Sequence, residues 1–249
     1  MGSALAQGLG IPAAESRMVV RGAIEGVMVR NVNQPGYDMV TGRLAMLDEI
    51  EIELRDSHRD KTASIGHSLE NVFSTLANYG PPPGYETWVD CTAVDVMVAY
   101  LILDALIGNG DRHEQNWSVL RSRLGGEGSV DTLSATYDLE ASLGFQLSDD
   151  QKSDRLSDAR GMEAFALKGL ARRFHGDRST TLVDLANRAF SSCSEAGIAR
   201  IQQLLGDVAA VDFGEIADSV GGMSEATGTF AVKVLEINRR RISDASWNA

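Results

Sequence analysis

The sequence of 249 residues predicts an α+β fold, in which helices dominate the second half and two short hairpins supply the strands. The first hairpin comes from apolar runs at 18–20 and 26–29, on either side of Gly22. The second comes from an apolar run at 117–120 and a returning strand at 132–137, joined by turn residues. Beyond residue 160, apolar residues recur three and four positions apart in five segments, at 161–174, 180–193, 195–205, 213–220 and 224–242.

Before residue 80 the sequence indicates one hairpin, one ambiguous segment and one helix. The hairpin around Gly22 is expected to be buried, because its apolar runs alternate too little for surface strands. Residues 43–55 fit neither the helical nor the strand period, so both interpretations stay open. Residues 67–79 carry apolar side chains at helical spacing and are followed by Gly80 and three prolines, which predicts a helix that ends there.

The most apolar segment of the chain is 93–107. Its side chains are apolar nearly all round, which predicts a helix buried on most sides and ended by the residues from Gly108 to Gly110. The segment is too short to span a bilayer, and it contains Asp95 and Asp104. The loop that follows therefore starts from a rigid helix of the core.

That loop contains the pattern that carries chemistry. Residues 108–117 read Gly-Asn-Gly-Asp-Arg-His-Glu-Gln-Asn-Trp, and Asp138 follows at the end of the second hairpin. In protein kinases an Asp of the catalytic loop accepts the proton of the substrate hydroxyl, while an Asn five positions later and a second Asp hold magnesium. Asp111, Asn116 and Asp138 have this spacing, and the hairpin would bring Asn116 and Asp138 side by side. The spacing predicts a phosphoryl-transfer site.

Residues 108–117 resemble the catalytic loop of HipA-like kinases and, more distantly, of phosphatidylinositol kinases. Residues 134–144, Ser-Ala-Thr-Tyr-Asp-Leu-Glu-Ala-Ser-Leu-Gly, resemble the metal-binding segment of HipA-like C-terminal domains. The resemblance extends from about residue 5 to about residue 176 and implies a protein-kinase-like fold that uses ATP and Mg²⁺. It further implies the roles of five residues: Asp111 as general base, Asn116 and Asp138 as magnesium ligands, and His113 and Tyr137 against the nucleotide phosphates or the catalytic loop.

The front of the chain departs from this family. No glycine-rich strand pair and no strand lysine precede the catalytic loop, and the glycines at 125, 126 and 128 are interpreted as turn residues. By the resemblance, residues 1–35 are a remnant of the small lobe with its hinge, and residues 36–249 are the large lobe. Three explanations stay open for the missing part: a fragment, a misassigned start or a natural degenerate kinase. The lysines of the chain are Lys61, Lys152, Lys168 and Lys233.

Three features near the motif have simpler structural interpretations. His113 is interpreted as an orienting hydrogen-bond partner for backbone carbonyls rather than as a catalyst. Arg112 could pair with a local carboxylate, and a solvated side chain is favoured over a substrate-binding one. Residues 148–158 form the most polar segment, where an activation segment would follow the metal Asp. A solvated loop is favoured there over a regulatory loop with phosphorylated serines.

Composition restricts the class of protein. The net charge of −12 argues against direct nucleic-acid binding, because a phosphate backbone requires a basic stripe. The first residues lack the basic start and apolar core of a signal peptide, and no segment predicts a membrane span. Cys91 and Cys193 match no metal or redox spacing, which indicates reduced thiols and a cytoplasmic location.

Three functional hypotheses follow. The first is a HipA-like phosphotransferase that moves the γ-phosphate of ATP to a hydroxyl; the resemblance implies Ser or Thr of a protein as acceptor and an antitoxin-like partner, as in toxin–antitoxin systems. The second is a pseudokinase or interaction domain, indicated by the missing lysine and glycine-rich strands. The third is a small-molecule or lipid kinase, and the lack of a basic membrane-facing patch counts against lipid.

Overall fold

A computed structural model describes residues 1–22, 24–52, 66–123, 130–176 and 178–248. The predicted α+β class is confirmed. The strands are β1 (Ser16–Arg21), β2 (Ile24–Val29), β3 (Tyr37–Thr41), β4 (Ser118–Ser122) and β5 (Thr132–Leu133). The helices are α1 (Gly2–Gly8), α2 (Gly42–Glu49), α3 (Leu69–Leu76), α4 (Ala93–Ile107), α5 (Asp149–Leu156), α6 (Ala159–Ala166), α7 (Leu182–Phe190), α8 (Glu195–Ala210), α9 (Phe213–Ser219) and α10 (Glu225–Asp244).

Helix α4 is the centre of the core, and its predicted bounds and burial are confirmed. Thr92 and Asp95 form a capping box at its start, so two backbone N–H groups that lack helical partners are satisfied. Gly108 ends it in the left-handed conformation, at φ 68°, which costs glycine little. Helices α3, α7, α8 and α10 pack around α4, and this position explains why it has no polar face.

Asp95 is buried and joins the starts of two helices. Besides the capping bond, its carboxylate accepts hydrogen bonds from the backbone N–H and the hydroxyl of Ser194, at 2.8 and 2.7 Å. Ser194 is in turn the N-cap of α8. Because each carboxylate oxygen is hydrogen-bonded, a charge that would be costly in the core instead fixes α8 against α4.

Strands β3, β4 and β5 form an antiparallel sheet in that order, with Val119 opposite Leu133. The returning strand is shorter than the predicted 132–137. After Leu133 the chain turns towards the N-terminal segment, where Thr136 pairs with Ala13 in a parallel bridge and accepts a hydrogen bond from Ala14. The predicted glycine turn at 125, 126 and 128 lies outside the described residues.

Strands β1 and β2 pair as the predicted hairpin, with a turn in which Gly22 has φ 65°. The expectation that this hairpin is buried is wrong. Val20 is 70% exposed and Met28 is 61% exposed, and four further apolar side chains are also exposed. The two strands form a sheet of their own, so within the described residues no third strand or sheet covers them.

Two predictions about the helices needed correction. The polar segment 148–158 is not a loop, because Ser148 and Gln151 form a capping box that starts α5. The helix predicted over 161–174 ends at Ala166, and the following residues run irregularly to a bridge between Leu170 and Thr181. The four remaining predicted helices correspond to α7–α10, and the ambiguous segment at 43–55 begins with α2; its residues beyond 52 lie outside the described part.

Both cysteines are free, and burial raises the pKa of Cys91 to about 11 and that of Cys193 to about 12. The thiols are therefore protonated at neutral pH and poorly nucleophilic. Among the described residues, no helix is both long enough and apolar enough to cross a membrane.

The Asp95 site predicts a strong effect of a single methyl group. In Gly197→Ala the new Cβ would lie 2.1 Å from an Asp95 carboxylate oxygen, so either α8 or the carboxylate must move. The free energy of unfolding in urea should fall by about 2 kcal/mol or more. Gly206→Ala, at an exposed position of the same helix with open space around it, is the matched control and should raise it by about 0.5–1 kcal/mol. Equal effects of the two substitutions would contradict this account.

Candidate active site

The centre of the site is a buried ion pair between Arg112 of the loop and Asp104 of α4. The guanidinium donates to both carboxylate oxygens, at 2.6 Å from Nε and 2.7 Å from Nη2. The side chains are 2% and 1% exposed, and Asn109 donates a further hydrogen bond to the same carboxylate. This two-pronged geometry fixes the position and the orientation of the loop on the core helix.

The third guanidinium nitrogen of Arg112 links the ion pair to the end of the loop and to the segment after β5. Nη1 of Arg112 donates to the backbone oxygen of Asn116, at 2.9 Å, and to the hydroxyl of Thr136, at 2.8 Å. The expectation of a solvated Arg112 is therefore wrong, whereas the alternative of a pair with a local carboxylate is confirmed. The sequence does not indicate Asp104 as this partner, because Asp104 lies on a helix whose side chains are nearly all apolar.

Asp111 is partly exposed and pairs with Arg173, a residue from the irregular segment after α6. Nε and Nη2 of Arg173 both contact Oδ1 of Asp111, at 2.6 and 2.5 Å. Within the described residues, Oδ2 of Asp111 accepts no hydrogen bond, so one carboxylate oxygen remains available to a hydroxyl donor. The pair links the irregular segment after α6 to the loop.

His67 holds the backbone of Arg173 in place through a hydrogen bond. Trp117 donates to Nε2 of His67, at 3.2 Å, and an indole nitrogen can only donate. His67 therefore carries its proton on Nδ1, which donates to the backbone oxygen of Arg173 at 3.0 Å. Burial lowers the pKa of His67 to about 4, so the ring is neutral at pH 7. In the sequence, His67 is visible only as a histidine at the start of a predicted helix, and nothing there indicates this role.

His113 has an orienting role in the geometry. Its Nδ1 accepts a hydrogen bond from the backbone N–H of Gln115, at 3.2 Å, rather than contacting a carbonyl. Burial lowers the pKa of His113, and the nearby carboxylates of Asp111 and Asp138 raise it by smaller amounts. The ring therefore closes the tight turn from His113 to Gln115.

Asn116 lies just before β4, and Asp138 lies in the segment beyond β5 that contacts the loop through Tyr137. The amide nitrogen of Asn116 donates to the backbone oxygen of Asp111, at 2.8 Å, which leaves its amide oxygen without a partner among the described residues. The phenol of Tyr137 donates to the backbone oxygen of Gln115, at 3.0 Å. This bond connects the segment after β5 to the loop. Burial raises the pKa of Tyr137, so it remains a phenol.

Asp138 has an unusual backbone and an acidic neighbour. Its φ of 56° is left-handed, a conformation that costs a non-glycine residue about 1 kcal/mol or more and that concentrates at functional sites. Glu140 lies beside it, and burial, followed by a hydrogen bond with Asp138, raises the pKa of Glu140. Carboxylate and amide oxygens are suitable ligands for Mg²⁺, so the donors of Asp138 and Asn116 fit that ion. Among the described residues, no three His, Cys, Asp or Glu side chains form a metal cluster, so the fit depends on these two donors with water or substrate oxygens.

Two clefts meet at this site. One, of about 500 Å³, is lined by Asp138 and Lys152 together with Val27 and Val29 of the hairpin. The other, of about 640 Å³, is lined by Asp111 and by three cations, Lys168, Arg172 and Arg173. Ser142, Leu143 and Phe145 line both clefts and form the wall between them. The candidate metal ligand and the candidate base therefore face different openings.

The fold and this arrangement together define a protein-kinase-like architecture. More particularly, the chain has a HipA-like kinase fold. It aligns over 98% of its length with a proinflammatory kinase of Helicobacter pylori, CtkA, with a TM-score of 0.69 and 17% identity, and covers 85% of that chain. It aligns over the same share with HipA of Shewanella oneidensis MR-1, from a toxin–antitoxin complex of HipA, HipB and operator DNA, with a TM-score of 0.51 and 17% identity, and covers 57% of that chain.

No protein-family model matches the chain, and no curated protein matches it. The resemblance of the motif to HipA-like kinases is confirmed by the likeness of the folds, although the identity is only 17%.

Removing the buried guanidinium should strongly destabilise the chain. In Arg112→Met the carboxylate of Asp104 would remain in the core without its counter-charge, and the free energy of unfolding in urea should fall by about 3–5 kcal/mol. Arg123→Met breaks an exposed ion pair with Asp38 and should cost at most about 1 kcal/mol. If the two substitutions cost the same, the Asp104 pair does not anchor the loop.

The neutral His67 predicts a pH dependence of stability. Its pKa in the folded chain, about 4, lies below the ordinary 6.5, so between these values the unfolded chain binds more protons. The free energy of unfolding should therefore decrease as the pH falls from 6.5 to 4, by about 3 kcal/mol from this residue.

The measurement is urea unfolding at several pH values in this window. His67→Gln should show a shallower pH dependence than the unmodified chain, whereas His175→Gln, at an exposed position, should keep the original slope. Parallel curves for the unmodified chain and His67→Gln would show that His67 does not remain neutral in the folded state.

Proposed function

We propose that the chain is a HipA-like phosphotransferase that binds ATP with Mg²⁺ and transfers the γ-phosphate to a hydroxyl, with Ser or Thr of a protein as acceptor. The observation that carries this proposal is the position of Asp111, Asn116 and Asp138 around one loop and one hairpin end in a kinase-like fold. The hydrogen bond from the Tyr137 phenol to the backbone oxygen of Gln115, at 3.0 Å, supports the placement of the Asp138 segment beside the loop. The likeness to CtkA and HipA supports the class of reaction.

The proposed roles follow from the geometry of each side chain. Asp111 accepts the proton of the acceptor hydroxyl on Oδ2, the hydroxyl oxygen bonds to the γ-phosphorus, and the bond between that phosphorus and ADP breaks. Arg173 holds the other carboxylate oxygen and fixes its orientation. Asn116 and Asp138 offer oxygen atoms to Mg²⁺, whose chemistry when bound is to neutralise charge on the phosphates. His113 and Tyr137 shape the loop against the nucleotide.

We also propose that residues 1–35 correspond to the small lobe and hinge and residues 36–249 to the large lobe. The separate two-stranded sheet of β1 and β2 supports this division. The solved Shewanella complex contains HipA with HipB, and an antitoxin-like partner is proposed here on that likeness. The net charge of −12 gives no reason to add direct nucleic-acid binding, and the two free thiols support a cytoplasmic location.

A second candidate is a pseudokinase, and a specific observation favours it. Arg173 already occupies one oxygen of Asp111, at 2.5 Å, and the strands β1–β3 contain no lysine for the phosphates. Such a chain would keep the nucleotide cleft or the interaction surface and lose the transfer.

The test of the proposed function combines binding with turnover. Calorimetry of ATP with and without Mg²⁺ should show binding that depends on the metal, and Asp138→Ala should lose that dependence. Transfer from γ-labelled ATP is then measured to a Ser/Thr peptide array and to the chain itself. Asp111→Asn should retain nucleotide binding and lose transfer by about 100-fold or more.

Each other outcome has a defined meaning. Binding without transfer in the unmodified chain would identify the pseudokinase. Transfer within a few-fold of normal in Asp111→Asn would exclude Asp111 as the base. Absence of nucleotide binding in the unmodified chain would overturn the proposed function.

A further inference from the structure

We propose that Lys152 of α5 binds the phosphates of the nucleotide, in the role that a strand lysine has in protein kinases. This inference rests on the proposed function, because it concerns the same cleft. The observation behind it is that a buried ammonium group and the candidate metal ligand Asp138 line one cleft of about 500 Å³. A volume of this size falls in the range of small-molecule and cofactor sites.

The ammonium group of Lys152 is held in place and has N–H donors that no described residue accepts from. Its side chain is 8% exposed, and Nζ donates to the hydroxyl of Thr227 at 2.7 Å. Thr227 in turn donates to Asp149, at 3.0 Å. An ammonium group has three N–H donors, and among the described residues only this one bond to an uncharged acceptor is made. Two donors therefore remain for a ligand in the cleft.

The positive charge of Lys152 is only weakly balanced. Among the described residues, the carboxylate within ion-pair distance is that of Asp149, 3.8 Å away and 55% exposed, and it also accepts a hydrogen bond from Thr227. A buried charge without a close partner is costly, so an anion that entered the cleft would gain a strong interaction. Phosphate oxygens supply such an anion, with several acceptors on one group.

The lining of the cleft matches the parts of a nucleotide. Val27 and Val29 of the hairpin supply an apolar surface suited to a base, while Asp138 and Lys152 supply the polar end. Asp138 can contact phosphates only through a metal ion, since both are negative. Lys152 can contact them directly. A metal at Asp138 and the ammonium of Lys152 would therefore bind the same phosphate chain from two directions.

The other described lysines do not have this environment. Lys168 is exposed and lines the separate cleft that contains Asp111. Lys233 pairs with Glu236 on α10, at 3.0 Å. Lys61 lies outside the described residues. Protein kinases carry this lysine in a strand before the catalytic loop, whereas Lys152 lies in a helix after it.

The experiment compares Mg²⁺–ATP with adenosine by calorimetry, because adenosine has no phosphate. In Lys152→Met the affinity for ATP should fall about tenfold or more, while the affinity for adenosine should stay within about twofold. Lys233→Met, which removes an exposed ammonium elsewhere, should leave both affinities unchanged. Lys152→Arg, which keeps a positive charge, should restore part of the ATP affinity.

A second variant covers the case in which Lys152→Met does not fold. Thr227→Val keeps the charge and removes its hydrogen-bond partner, so ATP should bind several-fold more weakly with adenosine unaffected. Equal losses for ATP and adenosine, or no loss for either, would overturn the role of Lys152 in phosphate binding while leaving the proposed function in place. Failure of the unmodified chain to bind ATP would overturn both.

Discussion

The ion pair between Asp104 and Arg112 is the constraint on which the site depends. An isolated charge in the core would be costly, but here each carboxylate oxygen meets a guanidinium nitrogen, and the third nitrogen reaches the ends of the loop and the hairpin. One side chain therefore fixes the last turn of α4, the loop and the returning strand together. The position of Asp111 follows from this arrangement, because it precedes the arginine directly.

The sequence predicted those features whose cause is local. The bounds of α4 could be derived because its apolar pattern is long, its cap is the Thr92–Asp95 box and Gly108 ends it. The spacing of Asp111, Asn116 and Asp138 could be recognised because chemistry fixes it. The HipA-like fold is confirmed although the whole alignment is only 17% identical, so the short motif was the informative part of the sequence.

The features that escaped prediction depend on contacts between distant segments. Arg173 reaches Asp111 across 62 positions, and His67 contacts Arg173 across 106. Neither contact leaves a periodic signal. The helix α5 was missed because its composition is polar throughout, although its capping box was visible at Ser148 and Gln151. Exposure of the β1–β2 hairpin was missed because apolar runs indicate burial only when a covering layer exists.

That hairpin has a consequence for how the chain behaves in solution. Its described apolar side chains are exposed, and no further strand among the described residues pairs with its outer edges, so strand-to-strand association of two copies is expected at high concentration. Val27 and Val29 also line the cleft beside Asp138, so such an association would compete with whatever enters that cleft. Self-association and ligand occupancy are then linked by mass action, and the apparent affinity for a ligand becomes a function of protein concentration.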